Sequence, residues 1–408
     1  MAPVPRLSPR YYRVRPSTAS ELAREGRAYA QLGRQVINLQ GGHLPGEMDH
    51  GLRQVGADAW REGAIGYTEG NGLPDLRDAV IDWLELRDVR SAENVLIAAG
   101  SRSALSAVLA VITSPGDVVL VDGAAWVVFH PLVSVAGATP VPILPAQGSN
   151  ADPGSRHFKL TAVDVRTQLQ LMPSARAVLM ANPVNPTAQL YTAEEIVAII
   201  EVCAQAGAVC IIDRLYGKLI YDGVRYPYLP ATPAVRDHCV LIDGVSRAFR
   251  GSGGLRVGWA CGPFDIIEAA GRVQMFGMGP AHRVDQLVAL AAITRPYDIG
   301  LIEELQGLRD LLFDSARAVP DLVAWPVAGT MYCMLDVRKF RGRTDASSWV
   351  VDTSAEFADY LLTDGGVLVA PGDIVGQEGF IRVAFSRASQ DVTAGMARIA
   401  LSLGRLKA

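Results

Sequence analysis

The chain has 408 residues, half of them hydrophobic, with a mean hydropathy of +0.20, enough apolar material for a large domain and a smaller one. A net charge of −4 leaves no basic surface of the kind nucleic acid requires, and no apolar run reaches the length of a membrane span. The five cysteines (Cys203, Cys210, Cys239, Cys261 and Cys333) lie in or beside apolar runs without metal-ligand spacing, which predicts buried free thiols in a reducing compartment and no metal site.

The N-terminus, MAPVPRLSPRYYRVRP, has no apolar signal-peptide core, so a soluble cytoplasmic protein is expected. Thr18 and Glu21 have capping-box spacing, and Gly33 stops the helix predicted from there to about Leu32. INLQGGHLP follows as a short strand that breaks at Gly41 and Gly42. A glycine pair lets backbone approach a ligand, though an ordinary turn has the same composition. His43, next in line, is a candidate base, against the commoner fate of a single structural histidine. Residues 57–88 are expected to be helical around an exposed insert, GYTEGNGLPDLR, with Leu76, Val80, Trp83 and Leu84 on one apolar face.

The middle of the chain alternates strand and helix. Apolar runs at residues 94–98, 118–121, 177–181, 208–212, 240–242 and 257–260 are separated by helix-length segments such as 103–112 and 193–205. This is the pattern of an α/β domain with a mostly parallel sheet, where ligands gather at strand C-terminal ends. Beyond residue 294, helices at 301–318, 353–362 and 390–403 alternate with short strands at 330–336, 367–370 and 380–384, an α+β texture. The expected division is an N-terminal arm and helix at 1–45 belonging to the small domain, a large domain at 46–294, and the small C-terminal α+β domain at 295–408.

The residues with chemistry fall at strand ends. Gly100-Ser101-Arg102 ends one strand and opens a helix, which suits a phosphate or simply a cap. Trp126 lies past the next strand and could stack on a planar ligand or pack in the core. In ANPVNPT two Asn-Pro steps force an extended turn that fixes Asn185 at a strand tip. Asp213 ends an apolar strand and needs a cation or several donors; its partner is either a protonated ring nitrogen or the adjacent Arg214. Tyr216 offers a phenol to the same space. In LIDGVSRAFRGSGGLRVGW, glycines and the side chains of Ser246 and Arg256 compose an anion-holding loop. Arg382 stands alone in an apolar strand, either to clamp a carboxylate or to close an internal salt bridge.

Taken in this order, GYTEGNGLPDLR, the Gly100 loop, NPVNPT, DRLY, SRAFRGSGGLRVGW and the Pro371-Gly372 turn ahead of Arg382 resemble the fold-type I pyridoxal-phosphate enzymes, in particular class I/II aminotransferases. The resemblance spans Ile37 to Arg382 and implies an aminotransferase-like fold and a homodimer with shared active sites. It further implies that Gly100, Ser101, Arg102, Ser246 and Arg256 hold the cofactor phosphate, with Tyr67 from the dimer mate. Trp126 would stack on the pyridine ring, Asp213 would pair with its nitrogen, and Asn185 and Tyr216 would meet its hydroxyl. Arg382 would take the substrate carboxylate beside Gly41 and Gly42.

Three positions depart from the family pattern: Ala188 where NPxNPTG ends in glycine, Arg214 where glutamate is common, and Arg247 where the Schiff-base lysine belongs. A lysine supplies an amine for covalent attachment and then an acid/base for proton transfer. A guanidinium, with a pKa above about 12, does neither. The expectation is therefore a diverged enzyme that holds pyridoxal or pyridoxamine phosphate non-covalently and acts on an amino-acid or keto-acid-like substrate, with Arg247 steadying charge and His43 as base. The alternatives are a cofactor-independent enzyme that reuses the phosphate and carboxylate sites, with Arg102, Arg214, Arg247, Arg250 and Arg256 making a cationic pocket, and a catalytically inactive binding or regulatory homologue.

Overall fold

The computed structural model describes residues 18–144 and 158–407; the expected N-terminal arm lies outside these residues up to residue 17. A helix at Thr18–Gln31 ends at Gly33, whose φ of +76° is the left-handed stop its sequence predicts. Strand β1 (Ile37–Asn38) follows. The helix expected from residue 57 begins earlier, at His50–Arg61, because Asp49 caps it by accepting from the Leu52 N–H at 3.2 Å.

Seven strands build the central sheet: β2 (Val95–Ala98), β3 (Val118–Asp122), β4 (Thr139–Ile143), β5 (Ala175–Ala181), β6 (Val209–Asp213), β7 (Cys239–Gly244) and β8 (Gly258–Cys261). Their order is β2-β8-β7-β6-β5-β3-β4, and only β8 runs antiparallel to its neighbours. Strands β2, β3, β7 and β8 are buried throughout, and β5 and β6 nearly so, as a sheet covered by helices on both faces requires. β4 was not expected: its sequence, TPVPI, has prolines that argue against a strand, and it is accommodated at the sheet edge.

The smaller layer is built on β9 (Val323–Ala324), β10 (Tyr332–Asp336), the hairpin β11 (Arg343–Thr344) and β12 (Val350–Val351), β13 (Val367–Leu368), β14 (Ala370–Pro371) and β15 (Phe380–Ala384). The single strand expected at 367–370 is two short ones. β13 pairs with β1, while β14 joins the sheet β14-β15-β10-β9. Helices Ile299–Arg317, Ser354–Gly365 and Ser389–Arg405 cover it, burying Leu305, Leu312, Phe357, Leu361 and Ile399 in a second core that also takes in Leu39. All five cysteines are free and buried. No helix among the described residues is long and apolar enough to cross a membrane.

Candidate active site

The carboxyl ends of β5 and β6, the start of the helix after β2, and the first residues after β1 and β7 converge on one cavity of about 620 Å³. Gly41, Gly42, His43, Ser101, Arg102, Trp126, Asn185, Asp213, Tyr216, Ser246, Arg247, Arg256 and Arg382 all line it, so nearly every residue singled out in the sequence meets in one place. Gly100 does not line it but shapes it from behind. Its φ is +95°, and a side chain there would strike the Arg256 guanidinium. The helix Ser101–Ile112 therefore presents its first N–H groups to the cavity beside Ser101, Arg102, Ser246 and Arg256, an arrangement suited to an anion.

The same end of the cavity is crowded with positive charge. Burial, then Arg256 and Arg247, hold the Arg102 pKa below that of an ordinary arginine, and its guanidinium lies 4.8 Å over the Trp126 ring. Among the described residues Asp213 is the only carboxylate lining the cavity. Its Oδ1 accepts from the Leu215 N–H at 2.9 Å, and burial, with a smaller push from Asp243, raises its pKa to about 7. The neighbouring Arg214 is not its partner. Successive residues leave a strand on opposite faces, and the Arg214 guanidinium turns away to pair with Asp243 at 3.3 Å and to lie 4.2 Å over Tyr226. Asn185 follows a cis Asn182-Pro183 bond and precedes a cis Pro186, and its buried Oδ1 meets no partner among the described residues. Ala188, in place of the expected glycine, adopts a φ of +59°.

At the other end, Arg382 donates to the Gln40 carbonyl at 2.9 Å and stacks over Tyr332 at 4.4 Å, while its buried Nε has no partner among the described residues. No carboxylate pairs with it among the described residues, which removes the internal salt bridge as its explanation. Arg387 repeats the arrangement, donating to the Gly41 carbonyl and leaving its own Nε unpaired. Burial, then Arg387 and Arg247, lower the His43 pKa and keep its imidazole neutral near pH 7. Arg247 sits on the turn Val245–Arg247 in contact with the Tyr216 hydroxyl, which reinforces its charge.

The cationic character differs in membership from the sequence expectation. Arg214 is engaged behind the sheet, and Arg250 is spent on Asp298 at 3.0 Å and Glu304 at 2.6 Å. Arg27, Arg382 and Arg387 line the cavity instead. Arg27, Tyr332 and Arg387 escaped sequence reasoning; the one available signal was that Arg387 follows Arg382 on the exit from the same strand. No lysine lines the cavity. Lys159 pairs with Glu195 at 2.5 Å, Lys218 lies over Trp83 at 4.3 Å, Lys339 reaches Asp321 at 3.5 Å, and Lys407 bridges to Thr344 through its backbone.

Tyr67 lies outside the cavity. It is fully exposed on a second groove of about 530 Å³ that it shares with Ile65 and Met278. The loop is held from beneath by the buried Gln286, which accepts from the Leu73 N–H at 2.8 Å and donates to Thr68 Oγ1 at 3.2 Å.

A mostly parallel sheet whose strand ends meet a smaller layer across an arginine-lined cavity defines the class, and residues 34–399 match the family described as aminotransferase class I and II, to which this chain belongs. It is similar to the bifunctional aspartate aminotransferase and glutamate/aspartate-prephenate aminotransferase of Petunia hybrida, 27% identical over 98% of this chain and 83% of that one. It is also similar to an aspartate aminotransferase of Rhizobium meliloti (strain 1021), 27% identical over 92% of this chain and 90% of that one. The crystal structure of the aspartate aminotransferase from Rhizobium meliloti matches with a TM-score of 0.90 at 25% identity, covering 98% of this chain and all of that one. The Thermus thermophilus aspartate aminotransferase with maleate shares the fold, with a TM-score of 0.86 at 23% identity over 98% of this chain and all of that one.

Proposed function

We propose that this cavity binds pyridoxal or pyridoxamine phosphate without a covalent bond and acts on an amino-acid or keto-acid-like substrate. The observation that carries the reading is the presence of Arg247, and of no lysine, in a cavity otherwise furnished for phosphate, ring and carboxylate. The residues fit such a cofactor on their own chemistry. The helix start with Ser101, Arg102, Ser246 and Arg256 would hold the phosphate, and Trp126 would lie on the ring. The orphaned Asn185 Oδ1 is a polar group awaiting a partner at the ring edge, and the Tyr216 hydroxyl opens on the same cavity. Asp213, raised by burial, is a carboxyl that becomes a settled anion only when a cation such as a protonated ring nitrogen faces it.

When bound, the cofactor supplies a carbonyl or amine and a ring that withdraws electrons from the substrate. The protein's part is to orient and neutralise. Arg382, whose Nε has no partner among the described residues, would clamp the substrate carboxylate bidentately against the Gly41–Gly42 backbone. Arg247 would hold developing negative charge near Tyr216, a task a guanidinium performs without losing its proton. His43, neutral at the rim, is free to take a proton.

We also infer a soluble cytoplasmic homodimer, with the division of the chain at 45/46 and 294/295. Ile65, Tyr67, Met275, Phe276 and Met278 are half or more exposed on neighbouring segments, with Phe276 at 95%, the kind of apolar face a two-fold partner covers.

The test is a visible absorption spectrum of the purified protein before and after borohydride. The expected result is a cofactor band whose carrier washes away on denaturation in the wild type and stays fixed to the chain in Arg247→Lys. Absence of any band, with no spectral change on adding pyridoxal phosphate, refutes the reading. It would favour the second one, a cofactor-free site for another anionic ligand, for which the excess of Arg27, Arg102, Arg247, Arg256, Arg382 and Arg387 over the single carboxylate Asp213 is the supporting observation.

A further inference from the structure

A cavity that lacks an amine still needs a group able to take and return a proton, and the side chain best built for it is one the sequence did not single out. Tyr332 opens β10, is buried, and lines the cavity. Its ring stands edge-on to Tyr216, with centroids 6.2 Å apart, and both phenols line the same cavity. The Arg382 guanidinium from β15 lies 4.4 Å from its ring centre, Arg247 faces it from the turn after β7, and Arg387 faces it from the segment after β15. Gly42 closes in on its hydroxyl oxygen. That approach depends on glycine: a Cβ at residue 42 would stand 3.1 Å from the Tyr332 oxygen and would collide with Met331 Sδ.

From this geometry we propose that Tyr332, relayed by Tyr216, is the proton carrier of the cavity in place of the missing lysine. The proposal rests on the cavity being the substrate site. Every charged group facing Tyr332 is a cation and the remaining titratable neighbour is Tyr216, so the surroundings stabilise a phenolate. Burial alone would raise its pKa; Arg382 and then Arg247 overcome that and lower it below an ordinary tyrosine's. The second phenol, Tyr216, is pushed the other way by burial and by Tyr332, so Tyr332 is the member of the pair that gives up its proton first. Arg247 thereby acquires a role its own chemistry permits: it holds the proton carrier in its charged form.

The step is a proton exchange that needs pyridoxal phosphate as electron acceptor. The Tyr332 phenolate would take the α-hydrogen as a proton and become a phenol, the electron pair of the broken C–H bond being left to the electron-withdrawing ring that the cofactor supplies. Giving the proton back would restore the phenolate.

The experiment is a pH titration of the near-ultraviolet tyrosinate absorbance of the full-length protein, wild type against Tyr332→Phe and Tyr216→Phe. Of the 12 tyrosines, one in the wild type should ionise ahead of the rest. That early step should vanish in Tyr332→Phe and move to higher pH in Tyr216→Phe, which also serves should Tyr332→Phe fail to fold. A second arm measures exchange of the α-hydrogen of amino acids with deuterated water in the presence of pyridoxal phosphate, where Tyr332→Phe should lose on the order of 10²–10⁴-fold. The proposal is overturned if the wild type shows no early step, if Tyr332→Phe retains it, or if exchange persists undiminished in that variant. The titration requires neither cofactor nor substrate, so its failure is distinguishable from a failure of the cofactor reading, which the visible spectrum reports.

Discussion

Replacing Asp213 by asparagine should stabilise the cofactor-free protein, by an amount that grows with pH. The carboxyl lies at the end of β6 with one backbone donor, no side-chain cation, and a pKa pushed up to about 7, whereas the unfolded chain returns it to about 3.9. A carboxyl raised in the folded state contributes stability that is fully present below pH 3.9 and is lost as pH rises through about 7. At about 1.4 kcal/mol for each pH unit in that window, the wild type gives up roughly 4 kcal/mol by pH 8. Asp213→Asn has no such charge to bury. Denaturant unfolding of both proteins in cofactor-free form should therefore give curves that separate progressively between pH 4 and pH 8 and run parallel above it. Saturating pyridoxal phosphate should close the gap from the wild-type side, because a ring cation restores the missing partner. A stability difference that does not change with pH would refute the argument and mean that Asp213 has a counter-charge in the free protein.

Other consequences follow from the same geometry. Arg382→Gln should weaken binding of simple carboxylates about 10- to 100-fold by isothermal titration, the worth of hydrogen bonds to a charged group, while leaving the fold intact. Asp243→Asn should cost about 3–5 kcal/mol in denaturant unfolding, because it leaves the buried Arg214 unpaired; combining it with Arg214→Met should recover much of that loss. If the proposed dimer forms through this face, Phe276→Asp should leave a monomer by sedimentation, placing a charge on one of its most exposed apolar residues.

Much of the candidate site was legible because many of its residues sit at strand ends, where the chain itself announces them with Gly, Asn-Pro or a charge after an apolar run. Asp213, Asn185 and the Gly100 turn were legible for that reason. Direction was not. Arg214 and Asp213 are adjacent in the chain but leave their strand toward opposite faces, so only coordinates could show that Arg214 answers Asp243. Arg250, three residues beyond Arg247, turns out of the cavity toward Asp298 and Glu304 by the same kind of local rotation. Tyr332 and Arg387 were hidden because an aromatic beginning an apolar strand, or an arginine in a polar loop, has no distinguishing pattern. β4 was hidden because its prolines obey a rule about where in a sheet they may stand, and the sequence does not say which strand is outermost.

Those prolines have a consequence for the free protein. β4 pairs with β3 on one side only, and Thr139 donates inward to the Asp117 carbonyl at 2.9 Å, so residues 139, 141 and 143 face the sheet. Pro140 and Pro142 fall on the alternate positions, whose N–H groups would have pointed outward. The open margin of the sheet thus offers oxygen acceptors but lacks donors at both sites, and a stray strand from an unfolding neighbour finds only half of a ladder there. Self-association through a shared ladder is discouraged at this margin.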